Sequence, residues 1–213
     1  MEPIAKKFAL AASSMLLAAS AFGATTIGNT SADDVTLDAQ SADAFVFTSG
    51  WNPQAGLNGN TSGMGSTFNS YGSGDWTLLG KQEGGSSTGF SLYSGLNFSF
   101  DVGDGKTGTW TIANTSANQN VSLDLVLSLK AANGAAAFLF DNQTINAGQT
   151  LSGTWNIDWF TGNNQSTPGF SNLTIFGREM DTITTPVPEP GEYAMLLAGL
   201  GLIGFVARRR KAL

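Results

Sequence analysis

The sequence contains no cysteine and no histidine among its 213 residues. Without cysteine the protein can form no disulfide and has no thiol nucleophile. Without histidine, a Ser-His-Asp triad, a histidine-ligated zinc site and a histidine general base are all excluded. Any enzymatic chemistry would therefore rely on carboxylates, on lysine or tyrosine, or on an oxygen-ligated metal.

Charged residues are also scarce, at 12% of the chain, which is about half the usual share. The formal net charge is −6, and most basic residues lie near the two ends, at Lys6, Lys7 and Arg208–Lys211. The middle of the chain is therefore more acidic than the total suggests, which argues against a nucleic-acid partner. Its polarity comes from glycine, serine, threonine and asparagine, a composition that suits an extracellular matrix.

The N-terminus has the pattern of a secretory signal peptide, predicted to span residues 1–23. Lys6 and Lys7 precede the apolar stretch Phe8–Ala19, and small residues follow it at the expected cleavage region. Those small residues are Ala19, Ala21 and Gly23. The pattern predicts export by the Sec machinery and removal of the leader by signal peptidase. The alternative is an amphipathic or buried first helix.

Residues 24–185 are predicted to form an exported β-domain. The clearest pattern is in Val121–Lys130, where apolar residues occupy every second position from Val121 to Leu129. Leu96–Val102 alternates in the same way, and turn residues separate the remaining strand candidates. Those candidates are Ala44–Thr48, Ala136–Phe140, Thr154–Phe160 and Leu173–Phe176. Short strands and regular turns predict an all-β fold, an antiparallel β-sandwich of jelly-roll type.

Near residues 49–74 the sequence is dominated by glycine, asparagine and serine. A segment of this composition buries too little apolar surface to offset the entropy lost on ordering, so a long loop is expected. Trp51, which lies in this setting, is the best candidate for an exposed aromatic side chain.

A Gly-x-Trp motif followed by a polar and an aliphatic residue occurs three times, at Gly74–Leu78, Gly108–Ile112 and Gly153–Ile157. Trp and the aliphatic residue would point to one face of a strand, which predicts equivalent strand starts that pack into one core. Trp159 continues the alternation and is expected in the same core. In the alternative interpretation, exposed tryptophans of these motifs form a platform for sugar rings.

Two groups of carboxylates are candidates for chemistry. The segment Asp101–Gly105 is similar to part of a calcium loop, but it lacks the EF-hand spacing and the closing glutamate, so a tight turn is the simpler interpretation. Asp124 and Asp158 could in principle form a hydrolytic pair. Both lie on the outward phase of alternating strands, where solvated carboxylates are expected. The domain is accordingly expected not to be an enzyme and to need no cofactor and no metal.

The C-terminus combines three features in a fixed order. Val187, Pro188, Glu189 and Pro190 come first, the uncharged stretch Tyr193–Ala207 follows, and Arg208, Arg209, Arg210 and Lys211 close the tail. As a helix the stretch would span about 22 Å, short of the ~30 Å of a bilayer core. A longer helix from Gly191, with arginines that reach the interface, predicts a transmembrane helix whose basic end stays cytoplasmic.

These features at residues 186–213 resemble the PEP-CTERM sorting domain of Gram-negative bacteria. The resemblance implies that exosortase, a membrane protease, recognises Pro188, Glu189 and Pro190, and that the basic cluster retains the tail before processing. It also implies a transient stay in the inner membrane, followed by the cell surface, the outer membrane or the extracellular matrix. An ordinary membrane anchor without processing is the alternative.

Three functions for the β-domain follow from these patterns. The first is a structural or adhesive role in an exopolysaccharide biofilm or floc. The second is a carbohydrate-binding module for exopolysaccharide, and the third is a carboxylate-dependent glycoside hydrolase. An exposed array of aromatic residues would favour the second function, and two convergent carboxylates in a cleft the third.

Overall fold

The computed structural model describes residues 25–84, 88–91, 95–162, 165–184, 195–200, 202–203 and 208, with only the backbone described at 88–91. The predicted signal peptide lies outside these residues and stays a prediction. In chain order the described strands are β1 (Thr25–Thr26), β2 (Thr36–Leu37), β3 (Gln40–Ser41), β4 (Ala44–Ser49), β5 (Thr77–Glu83), β6 (Thr88–Ser91), β7 (Leu96–Asp101), β8 (Thr107–Asn114), β9 (Gln119–Ala131), β10 (Gly134–Ile145), β11 (Thr150–Asn156), β12 (Phe160–Thr161) and β13 (Phe170–Thr184).

The strands form two main antiparallel sheets. The larger has five strands in the order β4-β10-β9-β13-β5, and the smaller has four in the order β11-β8-β7-β6. Two further pairs, β1–β12 and β2–β3, are small. Single turns of 3₁₀ helix lie at Ala32–Asp34 and Ser62–Met64. Among the described strands, neither main sheet closes on itself, so each sheet has an inner and an outer face.

The inner faces of the two sheets enclose one hydrophobic core. The alternating residues Val121–Leu129 of β9 are buried in it together with Phe98, Trp110 and Trp155 of the smaller sheet. The ring centroids of Trp110 in β8 and Phe140 in β10 are 5.7 Å apart, so side chains of the two sheets pack directly against each other. The all-β prediction is confirmed, although β10 and β13 are much longer than expected. The jelly-roll connectivity stays a prediction.

The outer face of the five-stranded sheet is covered by residues 50–76, here called the covering loop. Its Trp51, Met64 and Phe68 pack on Val126 and Phe176 in a second hydrophobic cluster. The segment therefore has no strands, as predicted, but the expectation that it buries little apolar surface is wrong. Three large apolar side chains, too irregularly spaced to form a pattern, are enough to anchor it.

Trp51 is only 4% exposed, so its prediction as an exposed aromatic is wrong. Its indole Nε1 donates to the carbonyl of Asn60 at 2.9 Å, which satisfies the one polar atom of the ring. Gly63 lies directly against the ring, because an added Cβ would come 2.1 Å from it. A glycine-rich neighbourhood here provides close approach to the tryptophan instead of exposing it.

Cations of the sheet also hold the covering loop by donating to its carbonyls. The Lys81 ammonium donates to Gln54 and Gly56, each at 2.6 Å. Lys130 donates to Trp51 at 3.1 Å, and Arg178 donates to Phe68 at 3.1 Å. The loop makes few backbone hydrogen bonds with the sheet. The bonds from lysine and arginine therefore attach it in place of the backbone hydrogen bonds that a β-strand would form.

Two of the three Gly-x-Trp motifs pair with each other. In the register of β8 and β11, Trp110 lies opposite Gly153 and Trp155 lies opposite Gly108. Each indole crosses over the glycine and donates from Nε1 to a backbone carbonyl beyond it, Trp110 to Thr36 at 3.0 Å and Trp155 to Asp101 at 2.9 Å. The glycines recur because they leave room for the tryptophan of the other copy.

The predicted common core holds for these two copies and for Trp159, which is fully buried. The first copy is different, because Trp76 packs at the edge of the second cluster, on the opposite side of the five-stranded sheet. One motif therefore serves two different environments.

Candidate functional site

A surface cleft beside Trp76 contains the one tryptophan that is not buried. The cleft has a volume of about 370 Å³ and is lined by Leu57, Asn58, Trp76, Thr77 and Leu78. Here it is called the Trp76 cleft. It forms where the covering loop meets the start of β5, and Leu57 at its rim is 96% exposed.

Beneath Trp76 lies a buried ion pair between neighbouring strands. Arg178 of β13 is directly opposite Asp124 of β9, and its Nε donates to the Asp124 carboxylate at 2.8 Å. Both residues are almost completely buried, at 3% and 1% exposure. The guanidinium carbon lies 4.3 Å from the centroid of the Trp76 ring, a cation–π contact. The pair therefore supports both the covering loop and the indole.

The strands on both sides of Asp124 are irregular at its level. The register of β10 shifts between Phe140 and Gln143, and that of β13 shifts between Arg178 and Asp181. Each irregularity contains a residue with positive φ, Asn142 at 49° and Glu179 at 50°. The N–H of Asn142 donates to Asp124 at 2.9 Å, so this carboxylate accepts bonds from both neighbouring strands.

The structure does not bring the predicted carboxylate pair together. Asp124 is on the outer face of β9, as its phase predicted, but the covering loop buries that face, so the expected solvation is wrong. Its partner is Arg178. Asp158 lies on the other sheet's side of the molecule, near Asp34, and is partly exposed. An acid–base pair of Asp124 and Asp158 is not supported.

The segment Asp101–Gly105 is the turn between β7 and β8. Asp101 accepts from the N–H of Gly103 at 3.1 Å, and Asp104 accepts from the N–H groups of Lys106 and Thr107, each at 2.9 Å. These bonds to the backbone lower the pKa of Asp104. The carboxylates therefore cap the turn, as the simpler interpretation predicted. In the described part of the chain no three potential metal-ligating side chains cluster.

Asp34 lines a second, shallow cleft together with Asp33, Thr109, Thr154 and Asn156. Burial raises its pKa above the usual 3.8, while bonds from Ser31 and Asn156 partly oppose this rise. A carboxyl whose pKa is higher in the folded state holds its proton more tightly there. Folding stability therefore falls as pH rises from 3.8 through the raised pKa.

The substitution Asp34→Asn is expected to remove this part of the pH dependence. The amide can still accept from Ser31, while no charge has to be buried above the raised pKa. The variant should gain stability relative to the parent chain as pH increases through that window. Urea denaturation at a series of pH values measures this difference, and parallel curves for the two proteins would contradict the assignment.

The C-terminal tail is described only at 195–200, 202–203 and 208, where it is helical. Its apolar side chains are all well exposed, between 58% and 76%. They are Met195, Leu196, Leu197, Leu200, Leu202 and Ile203. Because none of them is buried on the β-domain, this helix has an apolar surface on several sides and no partner among the described residues.

Within the described ranges, no helix is long and apolar enough to cross a membrane. The transmembrane helix predicted for residues 191–207 is thus not confirmed. Of the predicted sorting residues only Arg208 is described, and it is exposed. The others lie outside the described residues: Ala19, Ala21, Gly23, Val187, Pro188, Glu189, Pro190, Arg209, Arg210 and Lys211.

Comparison with family models decides the identity of the tail. A model of the PEP-CTERM protein-sorting motif matches residues 186–211. The tail is a PEP-CTERM sorting signal. The match confirms the resemblance found in the sequence, and it covers the motif, the apolar stretch and the basic cluster together.

No curated protein and no solved structure matches the chain. The PEP-CTERM motif indicates an exported protein that is sorted by exosortase. The motif match ends at the tail and gives no information about the β-domain. The sequence placed Trp76 in a Gly-x-Trp motif and favoured a core position for it, with an exposed sugar platform as the alternative. It did not identify Arg178 or the cleft. One feature of the sequence could have singled out Arg178, because it is the sole arginine outside the C-terminal tail in a chain with only ten basic residues.

Proposed function

We propose that the β-domain is a non-catalytic structural or adhesive component of an exopolysaccharide biofilm or floc. The PEP-CTERM motif supports export and sorting by exosortase. The destination in this proposal is the cell surface, outer membrane or matrix of a Gram-negative bacterium. Export would begin with the Sec machinery and signal peptidase. The domain then contacts the polymer through a hydroxyl-rich surface with few charged groups.

The observation that carries this proposal is the outer face of the four-stranded sheet. Hydroxyl side chains of neighbouring strands form a row across it, with Ser152 of β11 opposite Thr111 of β8 and Thr111 opposite Ser99 of β7. In the next row Thr154 lies opposite Thr109. Thr109 in turn lies opposite the exposed Asp101 of β7, so this face is rich in hydroxyl groups and carries few charges. Its hydroxyl groups can both donate and accept hydrogen bonds with the hydroxyls of a polysaccharide.

Carbohydrate binding is the second candidate. It does not rest on an aromatic array, because four of the five tryptophans are at most 4% exposed. It rests on the single half-exposed indole of Trp76 and its cleft. The hydrolase has no comparable support, since Asp124 is bound to Arg178 and is covered.

Deleting Arg208–Lys211 is expected to stop correct processing of the tail, because the basic cluster fixes the helix against the cytoplasmic face. The substitution Glu189→Ala should have the same effect by removing the charged residue of the recognised motif. In both variants the protein would stay in the inner membrane with its C-terminus intact. Intact-mass spectrometry after fractionation measures this, with Asp181→Ala, just before the tail, as the control. An unchanged C-terminus in the parent protein would leave only a simple anchor.

The matrix role is tested by fractionating a producing strain with and without the gene. The protein should be recovered with extracted exopolysaccharide, and cells without it should form weaker flocs or films. Complementation by the parent gene should restore them. Recovery of the protein only from the membrane fraction, with normal flocs in its absence, would contradict the proposal.

A further inference from the structure

Trp76 differs from the other tryptophans in exposure. Trp51, Trp110, Trp155 and Trp159 are between 0% and 4% exposed, whereas Trp76 is half-buried and lines an open cleft. A partly accessible aromatic side chain that lines a concave surface is typical of ligand-binding clefts. This position therefore calls for an explanation beyond core packing.

The indole of Trp76 is held in a fixed orientation from below. The Arg178 guanidinium covers it at 4.3 Å, and the Phe68 ring meets it edge-on, at 6.3 Å between centroids and 74° between planes. Arg178 is itself fixed by Asp124 and by the Phe68 carbonyl. The accessible part of the ring is the part that lines the cleft, so a ligand would meet a preorganised aromatic surface.

The rim of the cleft is fixed as well. The Gln54 side-chain amide donates to the carbonyls of Gln82 and Leu173, at 2.8 and 3.0 Å. Together with the two Lys81 bonds, this ties the loop that presents Leu57 and Asn58 to strands β5 and β13. Since little ordering remains to be done on binding, weak contacts are enough to hold a ligand.

The chemistry of the lining is apolar and neutral, with two polar groups. Leu57 and Trp76 supply apolar surface, and none of the five lining residues is charged. The Asn58 amide and the Thr77 hydroxyl make no hydrogen bond to the described residues, so both are available to a ligand. A pyranose ring offers matching groups, an apolar face of C–H bonds and hydroxyls around its edge.

We propose that the Trp76 cleft binds a pyranose unit of a neutral polysaccharide. The sugar ring stacks on the accessible part of the indole beside Leu57, and Asn58 and Thr77 form hydrogen bonds with its hydroxyls. This inference rests on the proposed matrix role for the source of the polymer, while the site itself follows from the cleft. The Trp76 cleft would give the β-domain a defined point of contact with a single polysaccharide chain.

Tryptophan emission of the full chain, purified in detergent, gives a direct test. Since the other four tryptophans are buried, a bound sugar should change the emission through Trp76 alone. Cellohexaose, chitohexaose and mannohexaose are the probes. We expect a saturable change with at least one of them, and calorimetry should give the same dissociation constant. No saturable change with any of the three would overturn the proposal.

Variants of the cleft then locate the binding. Trp76→Phe keeps a ring above Arg178 and should weaken binding about fivefold or more, as the stacked apolar area shrinks. Asn58→Ala removes one hydrogen bond and should weaken it by about fivefold. Leu57→Ala is matched with Ile183→Ala, another exposed aliphatic residue, at 54%. The first should weaken binding and the second should leave it unchanged.

Equal affinity in Trp76→Phe, Asn58→Ala and the parent chain would place any sugar elsewhere and overturn the cleft assignment. Thermal unfolding of each variant separates loss of binding from loss of fold. The outcome is independent of the matrix role. A protein that is recovered with the polymer but binds none of the probes through this cleft would retain its proposed function and lose this site.

Discussion

Replacing Arg178 with methionine is expected to lower the free energy of unfolding by about 3–5 kcal/mol, because Asp124 is left as a buried charge without its cation. The two side chains are 2% and 1% exposed, so water cannot take the place of the guanidinium. The substitution also removes the bond to the Phe68 carbonyl and the contact with Trp76. Urea denaturation followed by tryptophan fluorescence measures the loss.

Two further variants show whether the charge is the cause. Arg178→Lys keeps the charge but cannot reach Asp124 and Phe68 with the same geometry, so an intermediate loss is expected. The double variant Arg178→Met with Asp124→Leu removes both charges and should lose less than the sum of the two single variants. Additive losses would show that the pair contributes through packing alone, and the assignment would fail.

The period-two pattern of Val121–Leu129 predicted β9 correctly, because one inward side chain in every two is a direct consequence of strand geometry. The same pattern misled on Asp124. The outward residue Val126 and the apolar run Ala135–Phe140 were the available signal that β9 and β10 are buried on both faces. Burial of the second face requires another element to cover it. That element is the covering loop, whose glycine-rich and polar composition did not indicate such a role.

The covering loop could not be predicted from its own sequence. Its anchors, Trp51, Met64 and Phe68, follow neither a period of two nor one of 3.6, and the residues between them have the composition of a disordered linker. The bonds from Lys81, Lys130 and Arg178 join positions far apart in the chain. Only the folded sheet brings these cations under the loop, and hence the Trp76 cleft was missed as well.

The sorting signal shows the opposite case. Val187–Pro190, the apolar stretch and Arg208–Lys211 were recognised from the sequence because the signal is linear and is read by other proteins. It needs no tertiary contact, and the match to residues 186–211 agrees. The β-domain, in contrast, is understood only from contacts between its strands. The clearest of these contacts join the second and third Gly-x-Trp motifs.

The substitution Gly153→Ala, in the third Gly-x-Trp motif, is also expected to cause a large loss of stability. An added Cβ would lie 1.9 Å from the Thr36 carbonyl oxygen and 2.5 Å from Trp110 Nε1, so the bond between these two atoms could not persist. Forced repacking and a lost buried hydrogen bond together should cost about 3–5 kcal/mol. Thermal unfolding should show a lower midpoint than in Gly169→Ala, whose Cβ would meet its nearest neighbour at an ordinary 3.8 Å.

The reciprocal register provides a second check on the same effect. Gly108 faces Trp155 as Gly153 faces Trp110, and its added Cβ would lie 2.2 Å from the Asp101 carbonyl oxygen. Gly108→Ala is therefore expected to destabilise the protein as strongly as Gly153→Ala. If either variant were as stable as Gly169→Ala, the glycines would not be there to make room for the indoles. In that case the repeat would reflect strand initiation alone, since both glycines would tolerate a side chain between the sheets.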